Sequence, residues 1–374
     1  MTAEYQFYIR DAAGLQIAEL DVYDRIELIP RFNDVGGWKI DTRYDALIPD
    51  LDWKGGIIAV RDGVKIFSGN LQPKIGQLKS RWGKGGHFIT ASGPGDLAFL
   101  GNRLALSDPA GAPYTGQEFD TQTDKTETLL KYYVDYNAGP NAQNFMQVTG
   151  LTIEADAAAG TTISGNARFD NLLEFCQSLA LAEDDLGFRI IDLEFQVYTP
   201  SDKTATIVFS EELGNLEEYT YTQKAPKLNY GIAGANDAEG AARTTSEFGN
   251  SASITKYGIA VGFINSRDDG VSELNQKITE KLAQQASKEQ LKFVGIELED
   301  MQLYDDYWLG DKVTVVVDNE KKEAIIRELR IVIDGDGETV TPVIGTPDAK
   351  LEPIEAMFSR DREINERIVT METV

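Results

Sequence analysis

The stretch Pro30-RFNDVGGWKIDTRYD-Ala46 decides how the rest of the chain is read. Before it, Arg25-IELI-Pro30 reads as a strand that stops at proline. After the tandem Gly36-Gly37, Trp38-KIDTR-Tyr44 alternates apolar with polar residues, the period of a half-buried strand. Glycines at this point let the chain turn sharply between neighbouring strands, where a Cβ would clash or strain. Trp38 is then placed to cover the edge of a barrel. An ordinary hairpin accounts for the same residues without any ring.

Outward from that stretch, the first hundred residues read as β structure. Tyr5-QFYI-Arg10 and Leu15-QIAELDV-Tyr23 flank the loop Asp11-AA-Gly14. Gly55-GIIA-Val60 and Val64-KIFS-Gly69 are joined by Arg61-Asp62-Gly63, where Asp-Gly supplies the positive φ of a tight turn. His87-FITAS-Gly93 continues the set. Many short strands with glycine-rich turns predict a closed barrel or a sandwich.

The texture changes after Leu106. Ser107-DPAGAPYTGQEFDTQT-Asp124 is a loop or boundary, rich in Pro, Gly, Asp and Thr. Two amphipathic helices follow. Thr126-ETLLKYYVD-Tyr136 puts Leu129, Leu130, Tyr133 and Val134 on one stripe. Asp170-NLLEFCQSL-Ala180 puts Leu172, Leu173, Cys176, Leu179 and Ala180 on one face, with Asp170 as the expected cap. Gly187-FRIIDLEFQVYT-Pro200 and Thr204-ATIVF-Ser210 are expected to pair as a hairpin on the second helix. Farther on, Ser272-ELNQKITEKLAQQASKE-Gln290 has Leu274, Ile278, Leu282 and Ala286 on one helical stripe. Phe293-VGIEL-Glu299, Lys312-VTVVV-Asp318, Ala324-IIRELRIVI-Asp334 and Thr339-VTPVI-Gly345 form a second β set, with turns at Asp318-NEK-Lys322 and Gly335-Asp-Gly337.

The expected organisation is therefore mainly β, with a first β-barrel over 1–106 and an α+β insert over 107–225, part of which is open to joining that barrel. A second barrel over 226–345 carries the helix 272–290, and a helical extension covers 346–374. In the extension, Ile354, Met357, Asp361, Ile364, Ile368 and Met371 follow three-four spacing, a seam with one charged position. The seam either lies on its own domain or serves self-association or docking into a partner ring.

The net charge of −25 repels nucleic-acid phosphates and anionic membranes. It is read either as a solubility device or as a surface past which DNA moves without sticking. Cys176 is the only cysteine, so no intrachain disulfide forms, and no secretory signal or membrane-length apolar run is seen.

Catalytic patterns are scarce. His87 is the only histidine and sits in a strand-like stretch, which disfavours His-based triads and zinc sites. Cys176 lies on an apolar helical face and reads as core. The 61 Asp and Glu residues offer many carboxylate pairs without a measurable separation. Among them Glu183, Asp184 and Asp185 follow a helix end and read as a solvated turn. Asp334-GDG-Glu338 resembles part of a calcium loop but lacks its closing glutamate, and reads as a hairpin turn. Gly93-PG-Asp96 and Gly165-NAR-Phe169 match no phosphate loop. The chain reads as no enzyme and as needing no cofactor or metal.

Pro30-RFNDVGGWKIDTRYD-Ala46, followed by Gly55-GIIAVRDGVKIFSGN-Leu71, resembles the opening of the tail-hub proteins (tail tip or baseplate hub) of long-tailed bacteriophages. Arg31, Phe32, Asn33, Gly36, Trp38, Ile58, Val60, Arg61, Gly63, Phe67 and Gly69 occupy the motif positions. Tyr304-DDYWLGDKVTVV-Val317 is similar to the family's later strand entry, through Leu309, Gly310, Asp311, Val313 and Val315, with Trp308 packing beside the turn. The chain is most similar to the ReqiPepy-type siphovirus minor tail proteins. The resemblance implies a structural virion protein with two tail-tube-like β-barrels per chain, assembled as a homotrimer that adapts a sixfold tube to a threefold tip. Its implied partners are the distal tail-tube ring, the tape-measure protein and a fibre or receptor-binding protein, with DNA passing through unbound. The implied location is the virion tail tip after assembly in the host cytoplasm, without stable membrane insertion. Two other readings stay open, a tail-associated wall-degrading carboxylate enzyme and a monomeric glycan-binding β protein.

Overall fold

The computed structural model describes residues 3–43, 55–71, 77–83, 86–114, 116–181, 186–235, 244–266, 274–298 and 301–345. The architecture is mainly β. The chain forms two compact units, one comprising the chain up to Tyr219 and Lys292–Ile344, the other Thr220–Leu291 together with Gly345.

The first unit opens with β1 (Tyr5–Arg10), β2 (Gln16–Glu19), β3 (Arg25–Ile29), β4 (Gly37–Arg43), β5 (Gly56–Arg61), β6 (Val64–Asn70), β7 (Gln77–Gly83) and β8 (Gly86–Pro94). A short helix α1 (Ala98–Gly101) and β9 (Leu104–Ala105) follow. The antiparallel order β2-β1-β5-β6 makes a small sheet. Asp62 and Gly63 close its β5–β6 hairpin with φ of 50° and 81°, the turn expected from Asp-Gly. In β4, Trp38, Ile40 and Thr42 are buried and Lys39 and Arg43 exposed, as a period of two requires.

The insert comprises β10 (Asp120–Lys125), α2 (Thr126–Asn137), β11 (Thr152–Ile153), β12 (Thr162–Ala167), β13 (Asp170–Asn171), α3 (Leu172–Leu181), β14 (Gly187–Ile191), β15 (Glu194–Tyr198) and β16 (Val208–Ser210). Every residue assigned to the two helical stripes is buried. Tyr133 meets Phe175 edge-to-face at 4.8 Å between centroids, and Phe188, Ile190 and Phe195 of the β14–β15 hairpin complete the same core. Two expectations are corrected here. The hairpin lies wholly within 187–198, turning on Asp192 and Leu193 at φ 52° and 59°. Only Val208–Ser210 of the expected partner is strand, and it pairs in parallel with residues 314–316. The cap of α3 is Asn171, whose Oδ1 accepts from the N–H groups of Leu173 and Glu174. Asp170 instead accepts from the Arg168 N–H.

β17 (Leu216–Lys224) carries the chain out of the first unit. The second unit contains β18 (Tyr230–Ala235), β19 (Thr245–Gly249), α4 (Ser251–Tyr257), β20 (Val261–Ser266) and α5 (Leu274–Gln284). Its sheet order is β19-β18-β20, and Leu274, Ile278 and Leu282 of α5 pack on it with Leu228 and Ala233. The expected helix 272–290 thus ends at Gln284, and Ala286 is exposed beyond it. β21 (Lys288–Gly295) returns the chain to the first unit, which closes with β22 (Lys312–Val317), β23 (Glu320–Asp334) and β24 (Gly337–Gly345).

A large sheet follows the path β17-β21-β24-β23-β3-β4-β8-β7, with β22 and β16 branching from β23. The 15-residue β23 makes this possible. One of its sides pairs with β24, and the other pairs first with β22 and then, from Ile331 to Asp334, with Leu28 to Arg25 of β3. Strands from both ends of the sequence therefore share one sheet.

The seam positions Ile354, Met357, Ile364, Ile368 and Met371 lie outside the described residues, as do Glu183, Asp184, Asp185 and the side chain of His87. Asp334-GDG-Glu338 is the β23–β24 turn, with Asp334 Oδ1 accepting from the Asp336 N–H.

Candidate functional site

Three separated segments of sequence, within 30–36, 66–68 and 308–309, line one small cavity of ≈ 40 Å³ together with Gly95, Asp96 and Arg189. That volume takes a few water molecules. What surrounds it is a set of locks between elements.

Arg31, just past β3, sets its guanidinium on Glu328 of β23, at 2.8 Å from Nε and 2.7 Å from Nη2. Phe32 is buried beneath the Arg327 guanidinium, 5.3 Å from ring centroid to Cζ. Asn33 takes φ of 53°, and three of its polar groups bond to the insert. Its Oδ1 accepts from the Phe188 N–H, its Nδ2 donates to the Leu186 carbonyl, and its own carbonyl accepts from Gln177 Nε2, each at 2.7 Å.

The tandem glycines behave differently from the expected sharp turn. Neither has a positive φ. Gly36 is needed for close approach, because a Cβ there would sit 2.4 Å from the Ile29 carbonyl oxygen, whereas at Gly37 the nearest atom would be 3.7 Å away. Trp38 does not cover an outer edge. It is 2% exposed, its indole lies against Gly69, and Nε1 donates to the Asn70 carbonyl at 3.3 Å. Gly310 does turn the chain, at φ 90°, with Phe32 and Pro200 packed where a side chain would go. Asp311 fixes that turn by accepting from the N–H groups of Ser201 and Trp308, at 2.8 and 3.0 Å. Trp308 stacks edge-on with Tyr304 at 5.0 Å.

Two ionic nodes hold the small sheet in place. At one, Arg10 Nη2 meets Asp96 Oδ1 at 2.6 Å with both side chains fully buried. Ser68 Oγ donates to Asp96 and accepts from the Asp192 N–H. Burial pushes the Asp96 carboxyl up, outweighing the pull of Arg10, Ser68 and Asn70. At the other, Arg61 donates to both Glu297 oxygens, at 2.7 and 2.8 Å, and to the Leu303 carbonyl at 2.8 Å. Glu338 lies 3.4 Å from Arg61 Nε and also accepts from the Tyr5 hydroxyl. Burial opposes the Arg61 charge, yet Glu338, Tyr5 and Glu297 hold it above its ordinary range. Burial raises the Glu297 carboxyl, against the Leu303 N–H and Arg61. These two carboxylates, the pair brought together here, both face an arginine. Cys176 is buried in the core of the insert, and burial pushes its thiol up to about 12.

A family model described as the Siphovirus ReqiPepy6 Gp37-like protein matches residues 6–346. The chain belongs to this Gp37-like family. Among solved structures it is similar to the 43 kDa tail protein of prophage MuSo2 from Shewanella oneidensis, at 9% identity and TM-score 0.59, covering 91% of this chain and 98% of that one. A tail protein from Neisseria meningitidis MC58 is 14% identical at TM-score 0.57, covering 91% and 96%. Prophage tail protein gp18 from Listeria monocytogenes EGD-e is 9% identical at TM-score 0.52, covering 95% and 98%. At such identities the likeness is one of fold. No curated protein sequence matches the chain.

The residues that carry the resemblance fall in two places, Arg31, Phe32, Gly36, Phe67, Leu309 and Gly310 around the cavity and Arg61 and Gly63 at the far end of the β5–β6 hairpin. Arg10, Ser68, Asp96, Glu297 and Glu338 were missed from the sequence. A buried arginine at the end of β1 and a carboxylate after Gly93-Pro-Gly were the signals available for the first node.

Proposed function

We propose that this chain is a structural component of a phage tail tip, a homotrimeric hub that joins a sixfold tail tube to a threefold tip and lines the passage for DNA and the tape-measure protein. Membership of the siphovirus family and a fold shared with tail proteins support a place in the virion tail. One observation carries the finer reading. Eight strands run in a single path from β17 to β7, four drawn from residues 216–345 and four from residues 25–94. Each chain therefore offers two four-strand sets in series, and three chains offer six.

Both ends of the path are edges among the described residues. An edge presents unpaired N–H and C=O groups. Contact between two unlike edges is head-to-tail, and such contacts close into a ring where the rotation between copies closes. The β7 sequence holds Lys79 and Arg81, whereas β17 holds Glu217 and Glu218, residue types of opposite charge. The −25 charge of the whole chain suits a wall that DNA passes without binding. Glu297 and Glu338 hold Arg61, which favours a structural role over carboxylate catalysis.

Light scattering tests the ring. A mass three times 41.3 kDa is expected, alone or on the adjacent tail-tube ring. Glu217→Lys with Glu218→Lys should return it to a single chain, and adding Lys79→Glu with Arg81→Glu should restore it. A single-chain mass under both conditions would reject the hub.

A further inference from the structure

Arg189 and Trp308 line the small cavity, and each keeps a donor unused. On β14, Phe188 and Ile190 belong to the core of the insert, so Arg189 between them faces the other way. Its Nε donates to Gln196 Oε1 at 2.9 Å and its Nη2 to the Tyr304 hydroxyl at 3.4 Å. Its Cζ lies 5.3 Å from the Tyr198 ring centroid and 5.9 Å from that of Tyr304. Among the described residues, Nη1 meets no acceptor and no carboxylate pairs with the guanidinium. Trp308 is 9% exposed, and its indole N–H likewise meets no acceptor among the described residues. A donor left unsatisfied at such depth is costly.

Tyr304 ties the two donors together, bonding Arg189 through its hydroxyl and meeting Trp308 edge-on at 5.0 Å. Its backbone takes φ of 76°, an uncommon value for an aromatic residue. Strain of this kind persists only where the surroundings over-determine it, and it clusters at ligand clamps. Of the other charged groups that line the cavity, Arg31 is held by Glu328 and Asp96 by Arg10. Asp34 is exposed and forms no ion pair among the described residues. Ile66, Phe67, Leu97 and Leu309 supply apolar wall.

We propose that this cavity receives one carboxylate, accepting from Arg189 Nη1 and the Trp308 indole N–H, with a short aliphatic stem against the apolar wall. A volume of ≈ 40 Å³ suits a small head group. One unpaired guanidinium matches one carboxylate charge. A phosphate would bring about twice that charge beside Asp34 and Asp96. Two sources share the chemistry, a free short-chain acid and the C-terminus of a polypeptide.

Butyrate titrated into the full-length protein provides the test, read at the Trp308 indole N–H resonance, which Trp308→Phe identifies by its loss. The expected result is a saturable shift with a dissociation constant on the order of 1 mM. Butyramide should give none, and Arg189→Gln should lose it. Because Arg189 also braces Gln196 and Tyr304, a second variant leaves it in place. Asp34→Asn keeps the acceptor for the Val35 N–H and should tighten butyrate about threefold by removing a like charge. N-acetyl-leucine separates the sources. Binding tighter than butyrate assigns the site to a chain terminus, and weaker binding assigns it to a free acid. The absence of a saturable shift with both acids, an equal shift with butyramide, binding retained in Arg189→Gln, or no tightening in Asp34→Asn would each overturn the proposal. These readouts are the same for a monomer and a ring, so they are independent of the hub reading.

Discussion

At the scale of single residues, Gly36 and Gly37 are adjacent and alike in sequence but not in demand. A methyl at Gly36 would press on the Ile29 carbonyl, whereas at Gly37 it would meet ordinary contact distances. Gly36→Ala is therefore expected to lower Tm measurably, through overpacking of about 1–3 kcal/mol. Gly37→Ala should be neutral or gain up to about 1 kcal/mol, because glycine weakens a strand. Gly310→Val adds the strain of φ 90° to a collision with Phe32, and should fail to give soluble protein or unfold well below the native chain. Equal melting curves for Gly36→Ala and Gly37→Ala would contradict the close approach. The need for a small residue near 36 was legible in the sequence, but its cause was not, since the clash is with a carbonyl brought back by the path of β3. Arg10 and Asp96 were illegible for a related reason. Each is an ordinary charge locally, and only the fold closes them on one another.

At the scale of elements, local chemistry was read well and non-local pairing was not. Asp62-Gly63 announces its turn, and every residue of both helical stripes is buried, though α2 also buries Glu127 and Lys131, which the stripe omits. Asp192-Leu193 makes a turn of the same positive-φ kind without glycine, so nothing in the sequence marks it. The parallel pairing of β16 with β22 joins residues a hundred positions apart and has no local signature. The cap of α3 was placed one residue early because Asp170 and Asn171 are both good capping types. Their roles separate by measurement. Asn171→Ala should cost about 1 kcal/mol or more, since Oδ1 serves two helix N–H groups and Nδ2 holds the Gly101 carbonyl. Asp170→Ala removes one exposed contact to the Arg168 N–H and should change stability by less than about 0.5 kcal/mol. Chemical denaturation of the two variants distinguishes the assignments, and a larger loss for Asp170→Ala would reverse them.

At the scale of the whole molecule, a net charge of −25 and edge strands holding residue types of opposite charge make opposing demands on assembly. Bringing three such chains together accumulates like charge, and that repulsion acts over the Debye length, about 30 Å at 0.01 M salt and about 8 Å at 0.15 M. In the proposed ring, attraction between an edge whose sequence holds Lys79 and Arg81 and one holding Glu217 and Glu218 would operate at contact distance and be screened less, while main-chain pairing along the edges would be nearly indifferent to salt. Long-range repulsion should therefore dominate the salt response. The trimer is expected to tighten as salt rises from 0.01 to 0.15 M, the reverse of a complex held mainly by surface ion pairs. Sedimentation at a series of dilutions reads this directly. Steady weakening across the range would mean that contacts between unlike charges govern the interface, and that the acidic residues lie far from where the chains meet.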